Sequence, residues 1–328
     1  MKAVVSTKYG PPDVLRLKRV AKPIPKDNEV LIKIHATTVN RTDCGFLKAK
    51  PFFARLMIGL IKPRNTILGN EYAGVIEAIG KNVTSFKVGS KVFGFDGDNF
   101  GAHAEYVAKT QDSVLTTVPK NMSFKEVAPS NEGAHYALND IRKANVQRGQ
   151  RVLVNGGSGG IGSAAVQLLK YYGTKVTTVA NTKNLTLMKQ LGAEKVFDYT
   201  KEDFTKDTQK YDFVFDSVGK STYGRCKSLL KPGGVFISTE LGYLAQNPVL
   251  AIITALFGSL PTQAGKKVLF PIPKHNKKDI EFFKKLLILG KYKPVIDRSY
   301  PLEKIVEAYK YVEKGQKTGN VVITVKHS

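Results

Sequence analysis

A glycine-rich turn between a buried strand and a helix constrains this chain of 328 residues more than any other feature. It fits G-x-G-x-x-G, follows an apolar strand pattern at 151–155 and opens a helical pattern at 161–172. In that context the first glycine makes a tight turn, the second lets the backbone approach a pyrophosphate, and the third allows close helix–strand packing. The helix N-terminus then offers N–H groups to phosphates. We predict dinucleotide binding, with a merely tight turn as the alternative. The loop consists of Gly157, Ser158, Gly159, Gly160, Ile161 and Gly162.

The periodicity of apolar residues divides the chain. Residues 1–125 show mainly strand patterns with frequent glycine and proline, which favours a twisted antiparallel, barrel-like unit. Residues 126–265 alternate strand-length and helix-length segments, which predicts a parallel sheet covered on both faces. The end of the chain, 266–328, contains two amphipathic helical patterns and a last strand at 321–325 that could rejoin the first unit. The overall prediction is an α/β fold with a doubly wound Rossmann domain.

The end of the second predicted strand bears on the choice of nicotinamide cofactor. An NAD site usually has Asp or Glu about 20 residues beyond the glycine loop to bind the ribose 2′-hydroxyl. This chain has Asn181 and Lys183 there. The sequence has no Asp or Glu at this point that would repel a 2′-phosphate, and Lys183 could pair with that phosphate. NADPH is therefore favoured over NADH. An ordinary surface lysine is the alternative for Lys183.

The net charge and the cysteine content bear on the binding partners and the cellular compartment of the protein. The chain carries 51 Lys and Arg against 27 Asp and Glu, a net charge of +24. Such a field attracts anions, including nucleotides, nucleic acid and acidic membranes, although dispersed lysines on a solvated surface are the simpler explanation. The 2 cysteines, Cys44 and Cys226, argue against a disulfide framework. With no signal-peptide pattern at the start, we expect a cytoplasmic protein.

Zinc ligands are not grouped in the sequence. The histidines are scattered and neither cysteine lies in a C-x-x-C pair, whereas zinc takes three or four Cys, His or acidic ligands. We expect no zinc, although distant residues could converge in a fold.

A series of motifs in fixed order then resembles the medium-chain dehydrogenase/reductase superfamily, and more closely its zinc-less quinone oxidoreductase-like branch. The similarity covers nearly the whole chain. It implies a GroES-like catalytic domain split between 1–125 and 266–328, with a Rossmann domain at 126–265 inserted. The motifs, besides the glycine loop, are Val-Asn-Arg-Thr-Asp at 39–43, Leu-Gly-Asn-Glu-Tyr-Ala-Gly at 68–74, Gly-Ser-Lys-Val-Phe-Gly at 89–94, Gly-Ala-His-Ala-Glu-Tyr at 101–106, Leu-Gly-Ala at 191–193 before Asp198 and Tyr199, Asp-Ser-Val-Gly at 216–219, Lys-Pro-Gly-Gly at 231–234 and Lys-Thr-Gly-Asn-Val-Val at 317–322.

The resemblance also implies roles for individual residues. Zinc-dependent relatives carry Cys where this chain has Asn40 and His where it has Asn70, and Asn is a poor zinc ligand. Asn40 would donate to a developing oxyanion, or cap a loop; Asp43 would orient neighbours, or end a loop. Further expected cofactor contacts are Tyr199, Ser217, Val218 and Gly219.

Tyr136 departs from the family pattern, because relatives often have a Thr there that contacts the nicotinamide carboxamide. Its phenol, or the neighbouring His135, could donate a proton, whereas packing in a helix is the alternative. Water is a further possible proton source.

An apolar segment at 51–60 should border the substrate by its position in the family, and it suggests a bulky apolar substrate bound by Phe52, Phe53, Leu56 and Asn70. A core or interface helix is the alternative. Arg55, Lys62 and Arg64 lie beside it, which leaves docking on an anionic membrane open. The apolar stretch at 249–260 is similarly a pocket lid or a subunit interface, and relatives are often homodimers.

Without zinc to polarise an alcohol, a conjugated carbonyl or quinone is the easier substrate, because hydride adds to an electrophilic carbon and charge spreads onto oxygen. We therefore predict NADPH-dependent reduction of quinones, enones or other reactive carbonyls by direct hydride transfer. The alternative, motivated by the charge of +24, is a basic NADPH-binding protein whose partner is RNA or an acidic membrane and whose catalysis is vestigial.

Overall fold

The computed structural model describes residues 1–50, 55–241, 245–259 and 264–327. Phe52 and Phe53, two of the expected substrate contacts, lie outside the described residues. Two compact units divide the chain: the first is Met1–Glu132 with His275–Leu289 and Pro294–Ser328, and the second is Gly133–Lys274 with Gly290–Lys293.

The boundaries between these units differ from the domain boundaries that the sequence predicts at 125 and 266. Contacts within each unit explain both differences. The first unit continues to Glu132 because the Glu71 side chain binds the backbone N–H groups of Asn131 and Glu132. The second unit continues past 266 because Lys267–Leu269 forms a strand of its parallel sheet.

The strands predicted at 151–155 and 321–325 are observed within one residue of those limits. The observed strands are β1 (Lys2–Val5), β2 (Arg16–Arg19), β3 (Glu29–Val39), β4 (Glu71–Ile79), β5 (Lys91–Phe95), β6 (Tyr106–Thr110), β7 (Val114–Thr117), β8 (Arg151–Asn155), β9 (Lys175–Ala180), β10 (Lys195–Asp198), β11 (Tyr211–Asp216), β12 (Leu230–Ser238), β13 (Lys267–Leu269), β14 (Ile296–Pro301) and β15 (Asn320–Thr324).

The helices alternate with the strands in the second unit, whereas in the first they lie mainly between and after the antiparallel strands. They are α1 (Arg41–Lys48), α2 (Arg55–Ile58), α3 (Phe124–Val127), α4 (Glu132–Lys143), α5 (Gly160–Tyr171), α6 (Leu185–Leu191), α7 (Tyr223–Cys226), α8 (Gln246–Phe257), α9 (Lys277–Ile288) and α10 (Ile305–Glu313).

The first unit is built on a mostly antiparallel sheet in the order β14-β15-β3-β4-β5-β7, with β6 also paired to β3. The last strand of the chain, β15, pairs antiparallel with β3, so the C-terminus rejoins the N-terminal unit as expected. Its core contains Ile32, Ile34, Tyr72 and Tyr309.

The second unit is a six-stranded parallel sheet in the order β10-β9-β8-β11-β12-β13. Counted from β8, this is the order 3-2-1-4-5-6 of a dinucleotide-binding fold. Consecutive residues of β8 and β9 are buried, and because neighbours in a strand point to opposite faces, both faces of the sheet are covered. The predicted fold class, a GroES-like β-rich unit with a Rossmann unit, is confirmed. No helix in the described ranges is long and apolar enough to cross a bilayer.

Candidate active site

The glycine loop joins β8 to α5 at the carboxyl end of the sheet. The backbone reversal is made by Gly156, with φ of +84°, and not by Gly157, to which the sequence pattern assigns it. Gly157 is required for a different reason, since a Cβ there would lie 1.9 Å from the Thr178 hydroxyl oxygen on β9. A Cβ at Gly162 would lie 2.2 Å from the Gly156 carbonyl oxygen, so the close packing of α5 on the loop requires a glycine here.

Gly159 differs from these three glycines because nothing in the protein crowds it. A Cβ there would meet only the Gly156 carbonyl oxygen, at 3.5 Å, and its φ of −76° is open to any residue. Gly159 is the N-cap of α5 and has no side chain to bond the first helical N–H groups. The loop surface is half-buried and open at this point. These features fit a pyrophosphate at the helix N-terminus.

The other expected cofactor residues follow the carboxyl ends of neighbouring parallel strands. Asn181 follows β9, Tyr199 follows β10, and Ser217, Val218 and Gly219 follow β11. Because β10, β9, β8 and β11 are adjacent in the sheet, these loops share one edge with the glycine loop. Ligands of doubly wound sheets bind outside this edge, at the point where the strand order reverses.

A carboxylate that the sequence reasoning did not single out holds this edge together. Asp216, the last residue of β11, accepts hydrogen bonds from the Asn155 side chain at 3.0 Å and the Ser221 N–H at 3.1 Å. The Ser217 hydroxyl donates to the Asn155 carbonyl oxygen at 2.8 Å. The turn after β11 is thereby tied to the end of β8, from which the glycine loop starts.

The environment of Lys183 is consistent with a phosphate contact. Lys183 is exposed in a short turn after Asn181. Asp198, a buried carboxylate at the end of β10, accepts hydrogen bonds from the hydroxyl groups of Thr182 and Thr200, at 2.5 and 2.7 Å. These bonds, the one from Thr182 above all, hold the pKa of Asp198 below its usual value.

Tyr136 and His135 lie on α4, whose second residue, Gly133, packs against the glycine loop. A Cβ at Gly133 would be 2.7 Å from the Gly160 carbonyl oxygen. Tyr136 is half-buried and His135 is buried. The helix that carries Tyr136 therefore starts beside the expected cofactor loop.

The first unit contains a buried polar cluster, which we name the carboxyl cluster: Asn40, Asp43, Asn70, Glu71 and Glu132. Glu71 organises it, because its carboxylate accepts four hydrogen bonds. The donors are the N–H groups of Asn131 and Glu132, the Thr38 hydroxyl and the Asn40 amide, at 2.8 to 2.9 Å. Burial and the Glu132 charge raise the pKa of Glu71, and the two donors on each oxygen oppose that shift by favouring the ionised form.

Asn40 and Asp43 both cap α1, so the capping alternative is the one that the geometry favours. Asn40 is the N-cap residue, and its N–H donates to Asp43 at 2.8 Å. The second Asp43 oxygen accepts from the Gly69 N–H at 3.0 Å. Burial raises the pKa of Asp43 to about 7. The Asn40 amide nitrogen donates to Thr38 and Glu71, which uses both of its hydrogens and leaves none for an oxyanion.

Asn70 and Glu132 have unused polar atoms instead. Asn70 is 1% exposed, and its amide makes no hydrogen bond of normal geometry, although it lies close enough to Glu132 to oppose the rise in the pKa of that carboxyl. It lies beside Glu132, whose Oε1 accepts from the Thr42 hydroxyl while Oε2 has no partner. Burial and the Asp43 charge raise the pKa of Glu132. Buried polar atoms without partners are rare and call for an explanation such as a ligand or a water molecule.

The sequence reasoning missed Glu71, Glu132 and the nearby Lys317. Lys317 donates to the Gly319 carbonyl oxygen, and burial lowers its pKa while the charges of Glu132 and Glu71 oppose that shift. Glu71 lies within the family motif at 68–74, which implies no role for it, although an acid at the start of a buried strand is itself a signal. Glu132 had no comparable signal, because it lies 61 residues from Glu71 along the chain.

The carboxyl cluster does not fit zinc. Zinc sites use thiolate, imidazole or carboxylate ligands in a converging set. Here the two positions that hold Cys and His in zinc-dependent relatives offer amides, and the oxygens of Asp43 and Glu71 are occupied by hydrogen-bond donors. Within the described ranges, no group of three or more His, Cys, Asp or Glu side chains could hold a metal ion.

Comparison with known proteins places this arrangement in a family. Residues 26–120 match the alcohol dehydrogenase GroES-like domain, and residues 191–323 match the zinc-binding dehydrogenase family model. A 2-methylene-furan-3-one reductase of Solanum lycopersicum is 36% identical, over 98% of this chain and 79% of the relative. The chain belongs to the quinone oxidoreductase-like branch of the medium-chain dehydrogenase/reductase superfamily.

Two further relatives agree with this membership. A chloroplastic NADPH-dependent alkenal/one oxidoreductase of Arabidopsis thaliana is 30% identical, over 98% of this chain and 79% of the relative. The structure of the quinone oxidoreductase from Coxiella burnetii superposes with a TM-score of 0.86 at 28% identity, covering 99% of each chain. The protein is thus an oxidoreductase of this branch that uses a nicotinamide cofactor.

Proposed function

We propose that this enzyme reduces quinones, enones or other conjugated carbonyls with NADPH by direct hydride transfer, without zinc. The observation that carries the proposal is the carboxyl cluster, in which amides replace zinc ligands and buried carboxyl groups can hold a proton. A conjugated acceptor needs only charge stabilisation on its oxygen and one proton, and such groups supply both. The bound cofactor supplies the hydride.

The printed activities of the relatives support the same substrate class. They are reductases of a methylene-furanone, of alkenals and enones, and of quinones. The alternative of a binding protein with vestigial catalysis gains nothing from these comparisons.

Within the carboxyl cluster, we assign the oxyanion contact to Asn70 and the proton to Glu132. The Asn70 amide makes no hydrogen bond of normal geometry, although it lies near Glu132, whereas both hydrogens of the Asn40 amide are engaged. Glu132 has a free oxygen and a raised pKa, so it can carry a proton near neutral pH. Asn40 and Asp43 then act as positioning residues that fix α1, and the Tyr136 phenol stays an alternative proton donor.

Replacing Glu132 by Gln tests the proton assignment. A protonated carboxyl is the active form, so turnover of an enone should fall as pH rises through the raised pKa of Glu132. In Glu132→Gln the rate should be lower by about 100-fold, which is the usual contribution of general acid catalysis. The remaining rate should no longer change with pH through the ionisation of the Glu132 carboxyl. The pH profile of kcat/KM for an alkyl vinyl ketone measures both.

Asp140→Asn is the matched control. Asp140 is a buried acid on the same helix, its Oδ2 has no partner, and burial raises its pKa to about 8. This variant should keep the wild-type profile. A Glu132→Gln enzyme with the wild-type rate and profile would contradict the assignment.

The cofactor preference is tested at Lys183. Pairing with a 2′-phosphate is one charge-assisted interaction, so Lys183→Ala should raise the KM for NADPH by about 10-fold and leave that for NADH unchanged. Lys189→Ala, an exposed lysine on α6, is the control. Equal effects on the KM values for the two cofactors would contradict a contact between Lys183 and the 2′-phosphate.

The substrate class itself is tested by following NADPH oxidation with a benzoquinone, phenanthrenequinone, an alkyl vinyl ketone, an alkenal and, in reverse, a simple alcohol with NADP. We expect turnover of quinones or enones that a chelator does not inhibit. Because some quinones oxidise NADPH directly, each acceptor needs a control without enzyme. NADPH binding without turnover of any acceptor would refute the substrate class but not the cofactor site.

A homodimer is also part of the proposal. Val249, Ile252, Leu256 and Phe257 are exposed on α8, and α8 packs against β13, the last strand in the order of the parallel sheet. An exposed apolar helix face beside an open sheet edge favours association. Light scattering should give twice the chain mass of 36.1 kDa, and a single-chain mass would refute it.

We propose a cytoplasmic location, because Cys44 and Cys226 are both free and buried and no disulfide is formed. Cell fractionation of the tagged full chain tests this location.

A further inference from the structure

A turn in the first unit exposes apolar side chains to solvent. We call residues 55–64 the basic apolar loop; it consists of α2 and the turn that follows. Leu56, Leu60 and Ile61 on this loop are 71%, 61% and 88% exposed. Three large aliphatic side chains so exposed within six positions form a patch of the kind that marks an interaction surface.

Hydrogen bonds and a glycine with positive φ fix the backbone conformation of the basic apolar loop. The Gly59 N–H donates to the Arg55 carbonyl oxygen at 2.9 Å, and the Arg64 N–H donates to the Ile58 carbonyl oxygen at 2.9 Å. The Tyr9 hydroxyl donates to the Gly59 carbonyl oxygen at 2.6 Å. Gly59 has φ of +122°, and a Cβ there would lie 2.1 Å from the Lys62 carbonyl oxygen. The loop therefore presents its apolar residues from a defined backbone.

The charge around the loop has one sign. Residues 44–70 contain Lys48, Lys50, Arg55, Lys62 and Arg64 and no Asp or Glu. Two of these cations have partners, since Lys48 pairs with Glu313 and the Arg55 guanidinium lies over the Tyr9 ring.

The other three cations are available to an anionic partner. Lys50, Lys62 and Arg64 are exposed and form no ion pair with any acid in the described part of the chain. The loop thus combines exposed aliphatic residues with unpaired positive charge.

We propose that the basic apolar loop docks the enzyme on an anionic lipid surface. Aliphatic side chains flanked by cations are what the boundary between headgroups and acyl chains binds. Single-stranded nucleic acid binders instead stack bases on aromatic side chains, and the exposed residues here are aliphatic. Self-association through this loop would bring like charges together across a symmetric contact.

The expected effect of docking on substrate supply rests on the proposed function. An apolar quinone or enone concentrates in a bilayer, so an enzyme held at the lipid surface meets its substrate there. Docking should therefore favour lipid-dissolved acceptors over water-soluble ones of the same reactivity.

Vesicle co-sedimentation tests the docking separately from catalysis. The full-length enzyme is mixed with vesicles of phosphatidylcholine alone or with added phosphatidylserine, at low and high salt. We expect binding that requires phosphatidylserine and weakens with salt, as screening demands. Ile61→Asp should weaken it by about 10-fold or more, because it removes an inserted apolar residue and adds a negative charge.

Ile24→Asp is the matched control, since Ile24 is 87% exposed in the same unit but outside the basic apolar loop. It should bind like the wild type. Both variants should keep the wild-type rate with a water-soluble enone, and only Ile61→Asp should lose activity on a long-chain quinone held in vesicles. That loss supports the coupling of docking to substrate supply.

The inference is overturned if the wild type does not bind phosphatidylserine vesicles, or if Ile61→Asp binds as well as Ile24→Asp. Binding of RNA without vesicles, or a change of mass in Ile61→Asp alone, would assign the loop to another partner and overturn it too. In each of these cases retained turnover of the soluble enone leaves the proposed function standing, whereas its absence refutes that function independently.

Discussion

Replacing Gly159 by Val should abolish NADPH binding while the enzyme stays folded. Gly159 caps α5, and the space above it is empty of protein atoms closer than 3.5 Å to an added Cβ. A valine side chain would fill the place where the pyrophosphate approaches the helix N-terminus. Losing two or more hydrogen bonds to a charged group, at about 1.5–3 kcal/mol each, weakens binding by about 100-fold or more.

The fold should tolerate this change, because φ of −76° suits valine and only the N-cap preference is lost, about 1 kcal/mol. Fluorescence titration with NADPH and thermal unfolding measure the two effects. Gly224→Val is the control, since that glycine is exposed and an added Cβ would meet only the Thr222 hydroxyl, at 3.7 Å. If Gly159→Val binds NADPH within about threefold of the wild-type affinity, the cofactor does not bind at this loop.

Replacing Glu71 by Ala should destabilise the first unit more than any other single change in the carboxyl cluster. Four buried donors would lose their acceptor at once: two backbone N–H groups, the Thr38 hydroxyl and the Asn40 amide. An unpaired buried donor costs about 1–3 kcal/mol. We expect the free energy of unfolding to fall by about 4 kcal/mol or more, which is exceptional for a single substitution.

Calorimetric unfolding with cofactor absent measures this loss. Glu71→Gln keeps the volume and one acceptor oxygen, so its effect should be intermediate. Glu77→Ala is the control on the same strand, because Glu77 is partly exposed and pairs at the surface with Lys22, a contact worth about 1 kcal/mol or less. If Glu71→Ala unfolds like Glu77→Ala, the carboxylate does not organise the cluster.

Local pattern in the sequence determined the architecture and the cofactor edge. Strand and helix periods are set by neighbouring residues, so β8 and α5 were found close to their observed limits. The parallel order of those strands then placed the glycine loop, Asn181, Tyr199 and Ser217 at one edge. Motif order identified the family for the same reason, since each motif is short and local.

The tertiary structure alone decided which polar atoms are used and which are free. Asn40 was the expected oxyanion donor, but its amide is engaged by Thr38 and by Glu71. The unused donor lies on Asn70, beside Glu132. The bond from Asn40 to Glu71 spans 31 positions of the chain and the bond from Glu132 to Glu71 spans 61. They depend on how the end of β3 and the start of α4 pack against β4, and no local pattern encodes them. The same holds for the reversal at Gly156 and for the exposure of Ile61, because steric clearance and solvent contact exist only once the whole unit has folded.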